Sequence, residues 1–423
     1  MTPSTLGEWL ARIESLHARP IDLGLDRVRS VAEGLGLELA CITVVVGGTN
    51  GKGSTCAMLD AILRAAGYRV GLYTSPHLLS FNERARIDGV DVANEALIEQ
   101  FEAVDAARGQ TTLTYFEFTT LAVLRLFAAA RLEVAVLEVG LGGRLDAVNI
   151  VDADAAIVTS VDIDHTDYLG ATREAIGLEK AHIFRAHRPA ICSDPQPPES
   201  LLEHAARIGA DLWRLGRDFN YQGDRQQWSY GGRVVRRASL PFPALRGANQ
   251  LLNASGALAA LEALADRLPV SQQAVRQGLL TAQMPGRFQV LPGRPTVILD
   301  VAHNPHAAGV LAANLDSMSY HPETHAVFGM LGDKDIAGVI ARLRGRIDHW
   351  HVGPTESARG TTAAALASAL RAAGESGSIS EHASIAAAYA HAQERASLDD
   401  RIVAFGSFLT VAATVRVIRA ARS

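Results

Sequence analysis

Lys52 lies between two glycines in Gly47-Gly48-Thr49-Asn50-Gly51-Lys52-Gly53-Ser54-Thr55, and hydroxyl residues follow at once. Backbone N–H groups of such a loop can approach phosphate oxygens. The N-terminus of the helix that follows adds the positive end of its dipole, and Lys52 supplies a point charge for the outer phosphates. Ser54 or Thr55 could then reach a metal ion. The spacing is not GxxxxGK[ST], because Gly53 separates Lys52 from the hydroxyl residue. The bland alternative is a tight turn between strand and helix; the placement of Lys52 and the hydroxyls favours phosphate.

Three further residues could hold a divalent metal. Glu138 closes the apolar run 134–137, Ser75 follows the run 70–73, and His165 sits in Asp162-Ile163-Asp164-His165-Thr166-Asp167. Magnesium prefers oxygen ligands, so Glu138 and Ser75 suit it better than an imidazole. Taken alone, Glu138 could be a solvated or helix-capping carboxylate and His165 a hydrogen-bonded loop histidine. Lys180 lies in a helical pattern and by itself reads as a surface lysine. Asp300 ends the run 297–299 with His303 three residues on, a pair able to order an amine, contact nucleotide or cap a helix. Asn253 reads as a helix cap, and Arg287 as a loop charge suited to phosphate. In Tyr115-Phe116-Glu117-Phe118 the rings by themselves read as core.

These residues require a scaffold of strands that end in loops. Short β-branched runs at 42–46, 134–137, 156–161, 297–299, 326–328 and 402–405 alternate with helical patterns, which predicts parallel sheets with helices on both faces. Ligands then bind at the carboxyl ends of the strands. Met58, Leu59, Ile62 and Leu63 share one face of the helix after the glycine loop, and the Ala-rich stretch 363–373 reads as another helix. Short segments with turn signals between 213 and 245 predict a small antiparallel insertion. Turn-formers from Met284-Pro285-Gly286 to Pro295 place a domain boundary there, giving domains 1–285 and 286–423.

Composition excludes several classes. With 40 Lys and Arg against 45 Asp and Glu, the net charge is 40 − 45 = −5, and no basic cluster offers the footprint of a nucleic-acid binder. Glu8, Arg12, Glu14 and Arg19 interrupt the start of the chain, and Arg125, Arg131 and Glu133 break its most hydrophobic stretch, so neither a secretory signal nor a membrane span is expected. Cys41, Cys56 and Cys192 form no CxxC pair, which fits a reducing, cytoplasmic setting and no structural zinc site.

The glycine loop resembles the nucleotide loop of the Mur ligase superfamily. The segments Tyr73-Thr74-Ser75-Pro76-His77-Leu78, Leu137-Glu138-Val139-Gly140-Leu141-Gly142-Gly143-Arg144-Leu145-Asp146-Ala147 and Asp300-Val301-Ala302-His303-Asn304-Pro305 resemble its folylpolyglutamate synthase branch. Gly247-Ala248-Asn249-Gln250-Leu251-Leu252-Asn253-Ala254 is similar to a superfamily segment, although Asn249 and Gln250 stand where His and Asn are usual; Leu409 likewise replaces an expected His. The resemblance implies a P-loop-type N-terminal domain and a smaller Rossmann-like C-terminal domain. It also implies ATP-driven joining of L-glutamate to dihydropteroate and folates by a monomer. By the same resemblance Gly51, Lys52, Gly53, Ser54, Asn253, Arg287 and Asp300 bind ATP. Ser75, Glu138 and His165 hold two magnesium ions, and Lys180 carries an N6-carboxyl group supporting them. Lys52, Lys180, Asp300 and His303 are the implied catalytic set. Gly24-Leu25-Asp26-Arg27, Tyr115, Phe116, Glu117, Phe118, Leu145, Asp146 and Ala147 would meet the pterin.

Overall fold

The valine- and isoleucine-rich runs become strands of two mainly parallel sheets. The computed structural model describes residues 3–224, 226–247 and 249–421; Ala248 of the segment 247–254 and the outermost ends of both expected domains lie outside the described residues. Two compact units are present, Met1–Ala244 with Leu251–Gln283, and Leu245–Gln250 with Met284–Ser423.

In the first unit, β1 (Ile42–Gly47), β2 (Val70–Tyr73), β3 (Ala85–Ile87), β4 (Val90–Asp91), β5 (Val134–Glu138), β6 (Ala155–Val158), β7 (Pro189–Cys192) and β8 (Asp211–Arg214) lie in the order β4-β3-β2-β5-β1-β6-β7-β8. The β3–β4 hairpin is antiparallel at one edge and the rest are parallel. β5 is buried along its whole length and β1 from Thr43 onward, as in strands covered on both faces. The helices are α1 (Leu6–Ser15), α2 (Asp26–Gly34), α3 (Lys52–Ala65), α4 (Asn94–Arg108), α5 (Tyr115–Ala129), α6 (Thr166–Leu169), α7 (Arg173–Ala181), α8 (Glu199–Arg207), α9 (Gln250–Ala263) and α10 (Gln272–Thr281).

The helix α3 differs from the one-faced helix expected, because every residue from Gly53 to Leu63 is buried. Its second cover is α10, which approaches so closely that a Cβ on Gly278 would stand 2.4 Å from Ile62 Cα. Strand β6 is also shorter than the run 156–161. After Val158 the chain leaves the ladder, and Thr159 and Ser160 bond the glycine loop instead. The predicted insertion is a three-stranded antiparallel sheet, β9 (Asn220–Gly223), β10 (Trp228–Gly231) and β11 (Arg236–Leu240), with β10 central. Tyr230 fastens it to α9 by donating its hydroxyl proton to Glu262 Oε2 at 2.7 Å.

The second unit is a sheet of β12 (Gln289–Leu291), β13 (Thr296–Asp300), β14 (Thr324–Phe328), β15 (His349–Val352), β16 (Ser378–Glu381) and β17 (Arg401–Phe405), in the order β12-β13-β17-β14-β15-β16. Only its edge strand β12 pairs antiparallel. The helices are α11 (Pro305–Asp316), α12 (Ile336–Leu343), α13 (Ala363–Ala372), α14 (Ile385–Arg395) and α15 (Phe408–Ala420). A core around Phe328, Trp350 and Phe405 fills the space against the sheet. The protein is thus α/β throughout.

Candidate active site

The glycine loop runs from the carboxyl end of β1 into α3. Gly51 is the N-cap residue at φ +89°, and no side chain caps the helix. A Cβ there would fall 2.5 Å from Asn253 Oδ1, so this left-handed turn admits only glycine and brings Asn253 of α9 against the loop. The remaining polar groups hold its shape. Thr159 Oγ1 donates to Asn50 O at 2.7 Å, Asn50 N donates to Ser160 Oγ at 3.1 Å, and Asp162 N donates to Thr49 Oγ1 at 2.9 Å. Lys52 folds back, donating from Nζ to Gly48 O at 3.0 Å and Thr49 O at 3.3 Å. Thr55 Oγ1 is buried without a hydrogen-bond partner. An uncapped helix start, a lysine parked on carbonyls and an orphaned hydroxyl fit a triphosphate and its metal.

Glu138 ends β5 beside Val46 of β1 and is buried, and its Oε2 accepts the Ser75 N–H at 3.1 Å. His165, at φ +51°, stands at the N-cap position of α6 without a side-chain capping bond; its side chain is 39% exposed, with Nε2 4.0 Å from Asp164 Oδ1. A buried carboxylate, a hydroxyl and an imidazole suit a divalent ion that completes its shell with water and phosphate.

Lys180, expected on the surface, is instead buried at the end of α7. Burial lowers its pKa to about 7, helped by the Lys52 ammonium and opposed by Asp164 and Asp146. Burial also raises Asp146 to about 6, although its carboxylate accepts N–H bonds from Leu141 at 2.7 Å and Val148 at 3.0 Å. Lys52, Asp146, Asp164 and Lys180 therefore form one electrostatic group.

The expected pterin residues separate by role. Phe116 stacks on Tyr73 at 6.4 Å and 27° and lies against Gly140. Tyr115 sits under the Arg84 guanidinium, 5.4 Å from its ring centre. Phe118 is fully buried against Phe101, and Ala147 is buried too, so both pack the core. Glu117 closes a capping box with Thr114 and pairs with Arg27 at 2.9 Å. Arg27 in turn holds Asp22 at 2.8 Å. This pairing ties the 22–27 segment, with Gly24, Leu25 and Asp26, to the start of α5. Leu145 is half-buried beside Asp146.

In the second unit Asp300 ends β13, its two oxygens accepting N–H bonds from Phe288 at 2.9 Å and Ala302 at 2.8 Å. Desolvation raises its pKa to about 6, with Arg287 pulling the other way. The Arg287 guanidinium covers the Phe408 ring at 5.3 Å, and His303 lies 6.5 Å from the same ring. His303 Nδ1 donates to Val301 O at 2.8 Å, which fixes the tautomer. Leu409, in the first turn of α15, is exposed. A cavity of about 1160 Å³ opens elsewhere, at the amino ends of β1 and β5, lined by Cys41, Thr43, Glu133, Asp154 and Arg267. None of the candidate residues borders it, as the carboxyl-end rule for such sheets leads one to expect.

Comparison with known proteins decides the family. Residues 46–261 match the Mur ligase middle domain and residues 286–408 the Mur ligase glutamate ligase domain. The dihydrofolate synthase/folylpolyglutamate synthase of Escherichia coli K12 is 46% identical over 99% of this chain and 97% of its own length. The chain belongs to the dihydrofolate synthase/folylpolyglutamate synthase family of Mur ligases. The Haemophilus influenzae member is 41% identical over 97% of this chain and 96% of its own length. Among solved members, E. coli FolC in complex with DHPP and ADP superposes with TM-score 0.95, at 46% identity and complete coverage of both chains. A family member with Mn, AMPPNP and L-glutamate bound gives TM-score 0.91 at 44% identity, covering 99% of this chain and all of that one.

Sequence reasoning missed two members of this site. Arg84, buried between Phe81 and Tyr115, donates from Nε to His77 Nδ1 at 2.9 Å. No local pattern distinguishes it from a surface arginine. Asp164 was present only as a neighbour of His165, and its effect on Lys180 emerges from the fold alone.

Proposed function

We propose that this chain is an ATP- and divalent-metal-dependent ligase that joins L-glutamate to dihydropteroate and, in further rounds, to folates. A substrate carboxylate takes the γ-phosphoryl group of ATP to form an acyl phosphate, and the glutamate amine then displaces phosphate, losing a proton as the amide forms. The observation that carries this reading is the uncapped start of α3, with Lys52, beside buried Glu138 and Lys180. Gly51, Gly53 and Ser54 would receive the phosphates through backbone N–H groups, and Lys52 would swing from Gly48 O to the outer phosphates. Asn253 lies against Gly51, where it can meet the nucleotide.

Ser75, Glu138 and His165 would hold magnesium, which when bound neutralises phosphate charge and polarises the transferring group. Lys180, whose depressed pKa leaves a substantial fraction of neutral amine near pH 7, can react with carbon dioxide, releasing a proton, to give a carbamate anion beside that metal. Asp300, Arg287 and His303 serve nucleotide and glutamate, with Asp300 buttressing the backbone at Phe288. Tyr115, Phe116 and Asp146, with Leu145 and the 24–27 segment, serve the pterin. The protein works in the cytoplasm as a monomer. Among the described residues no helix is long and apolar enough to cross a membrane.

The test is turnover with ¹⁸O in the pteroate carboxylate, scored for ADP, amide and label in inorganic phosphate. One labelled oxygen per phosphate is expected; unlabelled phosphate alongside amide would discard the acyl-phosphate route. Incubation with ¹³C-bicarbonate should give a carbamate NMR signal that is lost in Lys180→Ala; its absence from the wild type refutes the modification. Sedimentation velocity reads the oligomeric state, and a dimer would refute the monomer.

A further inference from the structure

Away from the ligase site, the second unit gathers five histidines on one face of its sheet. The pairing His325↔His349↔Ser378 and Val327↔His351↔Ser380 places these side chains in register across β14, β15 and β16. Residues two apart share a face, so His349, His351, Ser378 and Ser380 point the same way as His325. His382 follows at the next same-facing position beyond β16, and α14, packed on β14 and β15, brings His391 down onto the group.

His351 is the centre. Its Nδ1 lies 3.2 Å from His391 Nδ1 and 3.0 Å from Ser380 Oγ, and that hydroxyl touches His382 Nε2 at 2.9 Å. One ligand atom from each of His351, His382 and His391 falls within a 4.8 Å cluster. Two nitrogens bound about 2.0–2.1 Å from a tetrahedral zinc stand roughly 3.3 Å apart, close to the 3.2 Å between His351 Nδ1 and His391 Nδ1. We propose that His351 Nδ1, His382 Nε2 and His391 Nδ1 form a binding site for a zinc-class divalent cation, its fourth position lying beside Ser380.

The surroundings fit a cation. His351 Nε2 is 3.2 Å from His325 Nδ1, and His325 Nε2, buried and without a hydrogen-bond partner, faces Asp400 Oδ2 at 3.8 Å and Glu323 Oε2 at 4.0 Å. With metal on its Nδ1, His351 must carry its proton on Nε2 and donate to His325. His325 then presents N–H to the two carboxylates, the orientation that second partners of metal-bound imidazoles supply. His382 and His391 are only half-buried, which leaves an entry path. A second trio, Glu323, His325 and His349, is less suited. It depends on the exposed Glu323 for one of its three ligands. The proposed ion would pin α14 to β15 and to the end of β16, and this role is independent of the ligase reaction.

Full-length protein stripped with EDTA, then returned to millimolar Mg²⁺, is titrated with Zn²⁺ by calorimetry and with Co²⁺ by visible absorption. One Zn²⁺ site that persists in Mg²⁺ is expected, with the d–d bands of four-coordinate cobalt and a higher Tm. Each of His382→Gln and His391→Ala should weaken binding by at least about 100-fold, while His349→Gln and His165→Ala retain it. His382→Gln, at the rim of the cluster, keeps the test meaningful should His391→Ala fold poorly. Loss of Zn²⁺ binding in excess Mg²⁺, full binding in His382→Gln, or loss in His349→Gln instead would overturn the proposal.

Discussion

The carboxyl ends of β1 and β5 in the first unit and of β13 and β17 in the second have the same architecture but treat their helix starts in opposite ways. Helices α11 and α15 are closed by Asn304 and Ser407, whose side chains accept from Ala307 N and Thr410 N. Helix α3 begins at a glycine with no side chain to cap it. A capped helix has already satisfied part of its N-terminal polarity; an uncapped one keeps it for an anion. On the reading proposed above, this difference makes the first unit the phosphate-binding edge, while the second presents Arg287 and His303 around Phe408.

The sharpest attack on this contrast is at the loop. Lys52→Ala should lower ATP-dependent turnover by about 10³-fold or more with an unchanged circular dichroism spectrum. Gly51→Ala should do the same, because its Cβ meets Asn253 and φ is +89°. Near-normal rates in either variant would erase the distinction between the two edges. A smaller effect is expected on the other side, where Arg287→Ala should raise KM for ATP by about 10- to 100-fold, the worth of one charged hydrogen bond.

Proton linkage probes both edges. Asp146 and Asp300 titrate near 3.8 when unfolded and at about 6 when folded. The folded state therefore binds more protons between these values, and stability falls as pH rises through that window. Asp146→Asn and Asp300→Asn should each flatten the fall in urea midpoint over it. Lys180 behaves oppositely: its cost is full below pH 7 and is relieved as pH climbs toward 10.5. In carbon-dioxide-free buffer, Lys180→Met should stabilise the protein at pH 6 and much less at pH 10. The mildest change is Asn304→Ala, which should cost about 1 kcal/mol of stability and leave KM for ATP alone; a large rise in KM would place phosphate at the capped edge.

What could be read in the sequence was local. The β-branched runs and the lysine between glycines lie within short windows, so β1, the loop and α3 were legible together, as were β5 and Glu138. Asn253 and Arg287 were legible only through family resemblance, because nothing adjacent to them marks a contact with nucleotide. Burial of Lys180 was not legible, since periodicity cannot say which helix face another element covers. Nor were Phe118 and Glu117 separable in advance from Phe116, although one fills the core, one fastens α5 and one reaches Gly140. The histidine face was invisible for the same reason: three strands, a loop and a helix each contribute, and only the strand register aligns them.

The near-contact of Gly278 with Ile62 means that α3 has no slack behind it. A single methyl added at Gly278 would act as a shim that forces α3 and α10 apart, and where α3 yields it must tilt or slide along its own axis. Either motion displaces Gly51 relative to Asn253. Alignment of the phosphate loop is thus set partly from the opposite end of the helix, by a residue that a search confined to the pocket would pass over.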